Sequence, residues 1–266
     1  SFAAIEKWMR ELLTGMVESN MSTMFTDVNE KTSEIAAQVG RTPQNWNSSV
    51  FSMIQNLSES VVVPIAGIII TLVLCYELIS MLTERNNLHD VDTWMFFKYF
   101  VKAWVAIYLV SNTFTITMAV FDVGQSVVNS ASGIINGETA IDVSSLSMQM
   151  QAAMATMEIG ELVVLALETF LVSFCMKIMS VVITVIVYGR MIEIYLYTSL
   201  APIPFATMSN REWGHVGTNY FRGLFALAFQ AFLMMVCVAI YAALISSVRI
   251  SSNMHSALIG VAAYTV

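Results

Sequence analysis

The chain has 266 residues and a mean hydropathy of +0.70; 57% of its residues are hydrophobic and only 12% are charged. A soluble globular domain carries about 25% charged residues, so this composition argues against a soluble enzyme and favours several membrane segments. The formal net charge of −7 excludes the overall basic footprint of a typical nucleic-acid-binding domain. The three cysteines lie singly in apolar runs, without the spacing of a metal or redox site.

Residues 1–58 are predicted to form amphipathic helices and a loop. Apolar side chains within residues 2–17 recur at helical spacing while charged residues take the other face, and the stretch 21–39 continues this pattern. Residues 40–49 then have the composition of a loop. The apolar face either lies in the membrane interface or packs on partner subunits, and the sequence favours neither over the other.

Transmembrane helices are predicted in the rest of the chain. Four stretches are long and apolar enough to cross a hydrocarbon core of about 30 Å: 61–82, 94–120, 161–199 and 221–248. A fifth helix starts near Met254, and we expect it to be truncated by the end of the given sequence. The predicted fold class is therefore all-α: a polytopic transmembrane helical protein with about five spans, the fifth truncated, and N-terminal amphipathic helices.

The predicted organisation has four parts. Residues 1–58 precede a transmembrane hairpin at 59–120, a polar loop follows at 121–160, and residues 161–266 hold the remaining spans. The helix at 161–199 would be about 58 Å long, nearly twice a hydrocarbon core. It should therefore protrude from the bilayer or bend near Gly189.

The distribution of positive charge predicts the orientation of the chain. Lys and Arg are absent from residues 103–176 and flank the loops at 83–93 and 189–220. The positive-inside rule then places those two loops in the cytoplasm and leaves residues 1–58 and the loop at 121–160 outside. A complete fifth helix would return the C-terminus of the full chain to the cytoplasm.

Motifs of catalysis are missing from the sequence. GxxxxGK[ST], HExxH and GxSxG do not occur, so we expect neither an enzyme nor a bound cofactor or metal. Ionisable residues inside the predicted spans are more informative, because they are costly in lipid and face protein or water. Those singled out as pathway or intramembrane polar candidates are Glu77, Lys98, Lys102, Glu168, Lys177, Arg190 and Glu193.

Two sets of ionisable residues lie close together by position. Glu77 lies at the same depth of the predicted hairpin as Lys98 and Lys102, and we expect it to pair with one of them. Arg190 and Glu193 share a helical face at i, i+3, at the expected cytoplasmic edge.

Lys177 is harder to assign. It lies near the centre of the third span, nine residues after Glu168 and on the opposite side of the helix, so these two cannot pair with each other. The remaining alternatives are that Lys177 lines a pathway, pairs with another helix, or extends towards the membrane interface.

The segment 199–214 combines helix-breaking, apolar and charged residues on the predicted cytoplasmic side. Prolines end the third helix here, so the irregular backbone cannot lie exposed in lipid. We expect a docking surface for a soluble or peripheral partner, with the alternative that the segment folds back on its own helices. The residues involved are Pro202, Pro204, Phe205, Met208, Arg211, Glu212 and Trp213.

Four stretches together resemble one family, the TrbL-like polytopic membrane subunit of Gram-positive conjugative type IV secretion systems. They are VVVPIAGIIIT (61–71), FDVGQSVVNSASGII (121–135), YGRMIEIYLYTSLAPIPFATMSNREWG (188–214) and FALAFQAFLMMVCVAIYA (225–242). The similarity runs through nearly the whole chain in order. Catalytic residues do not define the family, so the resemblance transfers none.

The resemblance implies a channel or scaffold subunit of the cytoplasmic membrane that assists translocation of single-stranded DNA with its relaxase. The implied partners are the secretion ATPases and other membrane subunits of the machine. Further copies of the chain are also expected, since Ala239, Ala242 and Ala243 are small residues that allow close helix approach in lipid. The alternative function is a secondary transporter or small-solute channel, although the sequence has no internal repeat.

Overall fold

A computed structural model describes residues 2–83, 93–135, 143–247 and 254–265 of the chain. All regular structure in these ranges is helical, which confirms the predicted all-α class. The helices are α1 (Phe2–Val39), α2 (Pro43–Trp46), α3 (Ser48–Leu57), α4 (Val63–Thr83), α5 (Thr93–Ser111), α6 (Thr113–Ile135), α7 (Val143–Met154), α8 (Ile159–Leu200), α9 (Pro202–Thr207), α10 (Gly214–Ser247) and α11 (Met254–Thr265). A π-helical turn at Ser58–Val62 joins α3 to α4.

Four helical stretches in the described ranges are long and apolar enough to cross a membrane: Ser48–Thr83, Thr93–Ser111, Ile159–Leu200 and Gly214–Ile245. They correspond to the four complete spans predicted from the sequence. The helix predicted near Met254 begins at that residue. The chain is therefore an all-α polytopic membrane protein.

The region between the second and third spans differs from its prediction. The second span ends at Ser111, and α6 continues to Ile135 through residues that the polar composition had assigned to a loop. Helix continues there because residues of the supposed loop pack in the interior: Phe121 is 3% and Val128 is 0% exposed. The threonines at the start of α6 bond to carbonyls one turn back. Thr113 Oγ1 donates to the carbonyl of Leu109 at 2.8 Å, and Thr117 makes the same bond one turn later. A hydroxyl bonded in this way leaves no unsatisfied polar group in a buried helix.

α8 is unbroken through Gly189 and ends at Leu200. Its 42 residues correspond to about 63 Å, twice the thickness of a hydrocarbon core. Ala201 and Pro202 follow, and Pro202 opens α9, where its missing N–H costs nothing because the first helical N–H groups have no partner anyway.

The chain divides into two compact units. Unit 1 comprises residues 1–40, 128–188 and 233–266, and unit 2 comprises residues 41–127 and 189–232. Residues 84–92, 136–142 and 248–253 lie outside the described residues, and the polar loop predicted for the first hairpin falls among them.

The core of unit 1 forms between α1 and helices α7, α8, α10 and α11. Buried apolar residues of α1 include Val17, Met21, Met24 and Phe25, and Met150 and Met154 of α7 pack into the same cluster. A hydrogen bond also connects α7 to α1: Gln151 Nε2 donates to Glu18 Oε1 at 2.8 Å. The second half of α1 therefore packs on this chain, whereas Phe2 and Trp8 near its start are 85% and 61% exposed.

Unit 2 has a core in which α9 packs between α4 and α5. Phe205 and Ala206 of α9 are buried in one cluster with α4 and α5, represented by Ala66 and Ala106. α6 and α10 approach each other closely at Gly124, where an added Cβ would lie 2.9 Å from the backbone oxygen of Ala228. A side chain at this position would force the two helices apart.

Candidate functional site

A cavity of about 340 Å³ lies in unit 2, at the end of the α4–α5 hairpin. The last turns of α4, the first turns of α5 and the turn after α9 form its walls. The lining residues are Tyr76, Glu77, Ser80, Met81, Met95, Lys98, Tyr99, Lys102, Asn210, Arg211 and Glu212. It thus gathers five charged residues, of which the sequence had assigned three to a hairpin and two to a separate segment.

Asn210 builds the turn that closes the cavity. Its side chain is 3% exposed, and its Oδ1 accepts hydrogen bonds from the backbone N–H groups of Glu212 at 2.7 Å and Trp213 at 3.1 Å. Asparagine favours such turns because its short side chain reaches backbone N–H groups a few residues ahead. The backbone N–H of Gly214, the first residue of α10, donates to the Asn210 carbonyl at 2.9 Å. This one residue therefore fixes how the chain enters α10.

Glu77 pairs with Lys102, and the predicted ion pair is confirmed with the more distant of the two lysines. Lys102 Nζ lies 2.6 Å from Glu77 Oε1, and the side chains are 41% and 22% exposed. Lys98 takes another position, with its Nζ 5.5 Å from the centre of the Trp94 ring. The pairing follows from geometry, since α4 and α5 are adjacent helices joined by a short connection.

The turn after α9 is attached to α4 by Tyr76. Its hydroxyl donates to Glu212 Oε1 at 3.2 Å, and its ring stacks on Trp213 with the ring centres 5.9 Å apart. Beneath it, the Tyr99 hydroxyl donates to the carbonyl of Leu74 at 2.9 Å. Sequence reasoning missed both tyrosines, because nothing in the local pattern links residue 76 to residue 212.

The predicted docking segment divides into a buried and an exposed part. Pro202 and Phe205 are buried in unit 2, and Pro204 is partly buried. The exposed part consists of Met208, Arg211, Glu212 and Trp213. The segment does pack on its own helices, as the alternative expectation held, but it leaves a charged and aromatic surface uncovered.

Glu168 has a partner that the sequence did not indicate. His255 Nδ1 of α11 lies 2.7 Å from Glu168 Oε2, with both side chains 36% exposed. Helical periodicity identifies partners only within one helix, whereas this one is 87 residues away. Lys177, on the same helix as Glu168, is exposed and makes no hydrogen bond or ion pair within the described ranges.

Arg190 and Glu193 do not form an ion pair in the part of the chain that the structure describes. Arg190 is buried, with 6% exposure, and its Nε has no hydrogen-bond partner there; Glu193 is exposed. Their shared-face prediction was reasonable for an isolated helix.

We predict that Glu77 and Lys102 are energetically coupled. A double-mutant cycle with Glu77→Ala, Lys102→Ala and the combined variant should give a coupling free energy of about 1 kcal/mol, because removing one partner strands the other charge. The midpoint of thermal unfolding in mild detergent measures it. The same cycle with Lys98→Ala is the control and should show additive effects. Additivity in the Lys102 cycle would contradict the pairing.

Comparison with protein families gives one match. The family model described as TrbL/VirB6 plasmid conjugal transfer like protein matches residues 28–202, from within α1 to the first residue of α9. No curated protein and no solved structure matches the chain. The matched range holds three of the four candidate spans, and it covers well over half of the 266 residues. The chain therefore belongs to the TrbL/VirB6 plasmid conjugal transfer-like family, as a multi-pass membrane component of conjugal transfer.

Proposed function

We propose that this chain is a channel or scaffold subunit in the cytoplasmic membrane of a Gram-positive conjugative type IV secretion system. In this role it assists the passage of single-stranded DNA with its attached relaxase. The role is structural rather than catalytic, and its partners are the secretion ATPases, other membrane subunits and further copies of itself. Family membership and the four apolar helices support the proposal.

The observation that carries the proposal is the exposure of Lys177. In the stretch 169–189, which is as long as a bilayer requires, Lys177 is the only Asp, Glu, Lys or Arg. A cation at such a depth is costly in hydrocarbon, so it faces protein or water. Because nothing in the described part of this chain covers it, we propose that a neighbouring subunit or an aqueous pathway does so.

The oligomer interface that we propose lies on the Lys177 face of α8. Only 11% of the most apolar 18-residue stretch of α8 is buried, so most of its surface is free to contact lipid or another helix. The small-residue stripe on α10 is a weaker candidate than the sequence suggested. Ala242 is 1% exposed and packs inside unit 1, which leaves it out of reach of a second copy.

The alternative function, a secondary transporter or small-solute channel, has one favourable observation. Glu168 and His255 form a titratable pair on helices α8 and α11. Such a pair suits proton-coupled transport, in which ionisable residues within the spans mark the ion path. A transporter of this kind would work without the conjugation machinery, so its loss would leave DNA transfer intact.

Deleting the gene for this chain in a donor cell should abolish conjugal transfer, and a plasmid-borne copy should restore it. In the restored strain, Lys177→Leu should lower transfer frequency at least about tenfold, because a lost ion pair or pathway contact costs more than about 1.4 kcal/mol. Lys177→Arg keeps the charge and should retain transfer. Val181→Leu, at an exposed position one turn away, is the matched control. Full transfer by the deletion strain would overturn the proposed function.

For the topology we propose that residues 1–58 and 121–160 are extracytoplasmic and residues 189–220 cytoplasmic. The absence of Lys and Arg from residues 103–176 supports this orientation. The revised helix boundaries do not alter it, since the charge distribution is unaffected by where α6 ends.

Ser144→Cys should react with a membrane-impermeant thiol reagent on intact cells, because Ser144 is exposed and on the proposed outer side. His215→Cys, also exposed, should react only after permeabilisation. Both substitutions need a background in which Cys75, Cys175 and Cys237 are replaced, since all three are exposed. The reverse labelling pattern would invert the topology.

We also propose that the exposed part of the turn after α9 docks a secretion ATPase. Met208, Arg211, Glu212 and Trp213 form a small apolar and charged surface on the proposed cytoplasmic side. Arginine and tryptophan dominate the binding energy of many interfaces. The buried Phe205 holds this surface in place and is itself inaccessible.

Trp213→Ala should reduce co-purification of the ATPase and lower transfer, while the protein still accumulates in the membrane. Truncating an aromatic residue at the centre of an interface commonly costs about 2 kcal/mol or more. Trp104→Ala is the matched control: Trp104 is 67% exposed but lies within the second span, where a soluble partner cannot reach. Unchanged co-purification with Trp213→Ala would refute docking at this surface.

A further inference from the structure

We infer that the cavity at the end of the α4–α5 hairpin binds the headgroup of an anionic phospholipid, with its phosphate between Lys98 and Arg211. The inference needs only that the chain lies in a membrane and does not depend on its role in conjugation. It rests on the depth of the cavity, its free positive charge, and an exposed apolar surface beside it.

The depth of the cavity is that of the lipid headgroups. The second candidate span begins at Thr93, so Lys98 lies little more than one turn inside its end. Trp94 is 57% exposed and stacks on Phe97, with the ring centres 5.4 Å apart. Exposed tryptophans at the ends of spans lie at the membrane–water interface. Lipid phosphates are therefore available at the level where the cavity opens.

The charge left over in the cavity is positive. Lys98, Lys102 and Arg211 outnumber Glu77 and Glu212 in its lining by one charge. Glu77 pairs with Lys102, and Glu212 accepts a hydrogen bond from Tyr76. Within the described ranges, neither Lys98, whose Nζ lies over the Trp94 ring, nor the exposed Arg211 makes a hydrogen bond or ion pair. A guanidinium and an ammonium facing one space suit a phosphodiester, which the guanidinium can bind through two oxygens.

A path for acyl chains continues from Lys98 along α5. Val101 and Val105 follow on the same helical face, three and seven residues further into the span, and are 46% and 41% exposed. Met81 and Met95 add apolar surface to the cavity wall. Basic pockets between membrane helices are known sites for anionic headgroups, and a volume of about 340 Å³ is within the range of small-ligand sites.

These features favour a lipid over the other carriers of phosphate. Single-stranded nucleic acid needs a track of cations with aromatic faces open for base stacking, but here Tyr76 and Trp213 stack on each other. A free phosphate ion would gain nothing from the apolar path along Val101 and Val105.

The test uses the full chain in mild detergent and follows the midpoint of thermal unfolding as lipid is added. Phosphatidylglycerol should stabilise the wild type at about tenfold lower concentration than phosphatidylcholine, a difference of about 1.4 kcal/mol in binding. The double variant Lys98→Gln/Arg211→Gln should lose this preference. The control Lys7→Gln/Arg222→Gln removes two exposed positive charges elsewhere and should keep it.

Equal responses to the two lipids in the wild type, or an unchanged preference in the double variant, would overturn the inference. If the double variant does not fold, the single variants Lys98→Gln and Arg211→Gln decide, and Lys98→Arg should retain the preference because it keeps the charge. Inorganic phosphate that stabilises the wild type where phosphatidylglycerol does not would assign the cavity to a soluble ion. If the wild type and the control bind a single-stranded oligonucleotide and the double variant does not, the cavity would be assigned to nucleic acid. Either result refutes the lipid site.

Discussion

Hydrocarbon offers the backbone no hydrogen bonds, and every other feature of this chain follows from that constraint. Each N–H and C=O at membrane depth must be satisfied inside its own segment, which selects helices and excludes irregular backbone facing lipid. Polar side chains at this depth are satisfied in the same way, because the Thr113 and Thr117 hydroxyls donate to carbonyls one turn earlier in the chain. Where the backbone does depart from a helix, between Leu200 and Gly214, α9 carries it into the space between α4 and α5.

Because charges are costly in hydrocarbon, the partner of each charged residue at membrane depth shows what stabilises it. Glu77 and Lys102 neutralise each other between adjacent helices, and Glu168 meets His255. Lys177 has no such partner within the described chain, although it lies in a stretch without any other charge. The contrast separates paired charges from an exposed one, and this is why Lys177 carries the proposed function while the paired residues do not.

The sequence predicted what depends on local composition. Hydropathy located the four spans, the start of α11 at Met254 and the matching depth of Glu77 and the lysines of α5. It could not predict that α6 would continue past residue 120, because the polar composition there resembles a loop and does not show that Phe121 and Val128 are buried. It also missed contacts between distant segments: Tyr76 with Glu212, and Glu168 with His255. The burial of Arg190 belongs to the same class, because it depends on which helices of unit 2 surround α8.

The segment after α8 shows how one constraint produces a surface. Pro202 ends a helix that would otherwise continue, and Phe205 then fixes α9 in the core of unit 2. Asn210 sets the next turn, so that Arg211, Glu212 and Trp213 emerge in fixed positions beside the cavity. Both the proposed docking surface and the proposed headgroup site would gain from this arrangement, because a preformed surface loses less conformational entropy on binding than a mobile loop does. Packing against α4 and α5 thus turns an irregular backbone that lipid would not tolerate into a surface held in place.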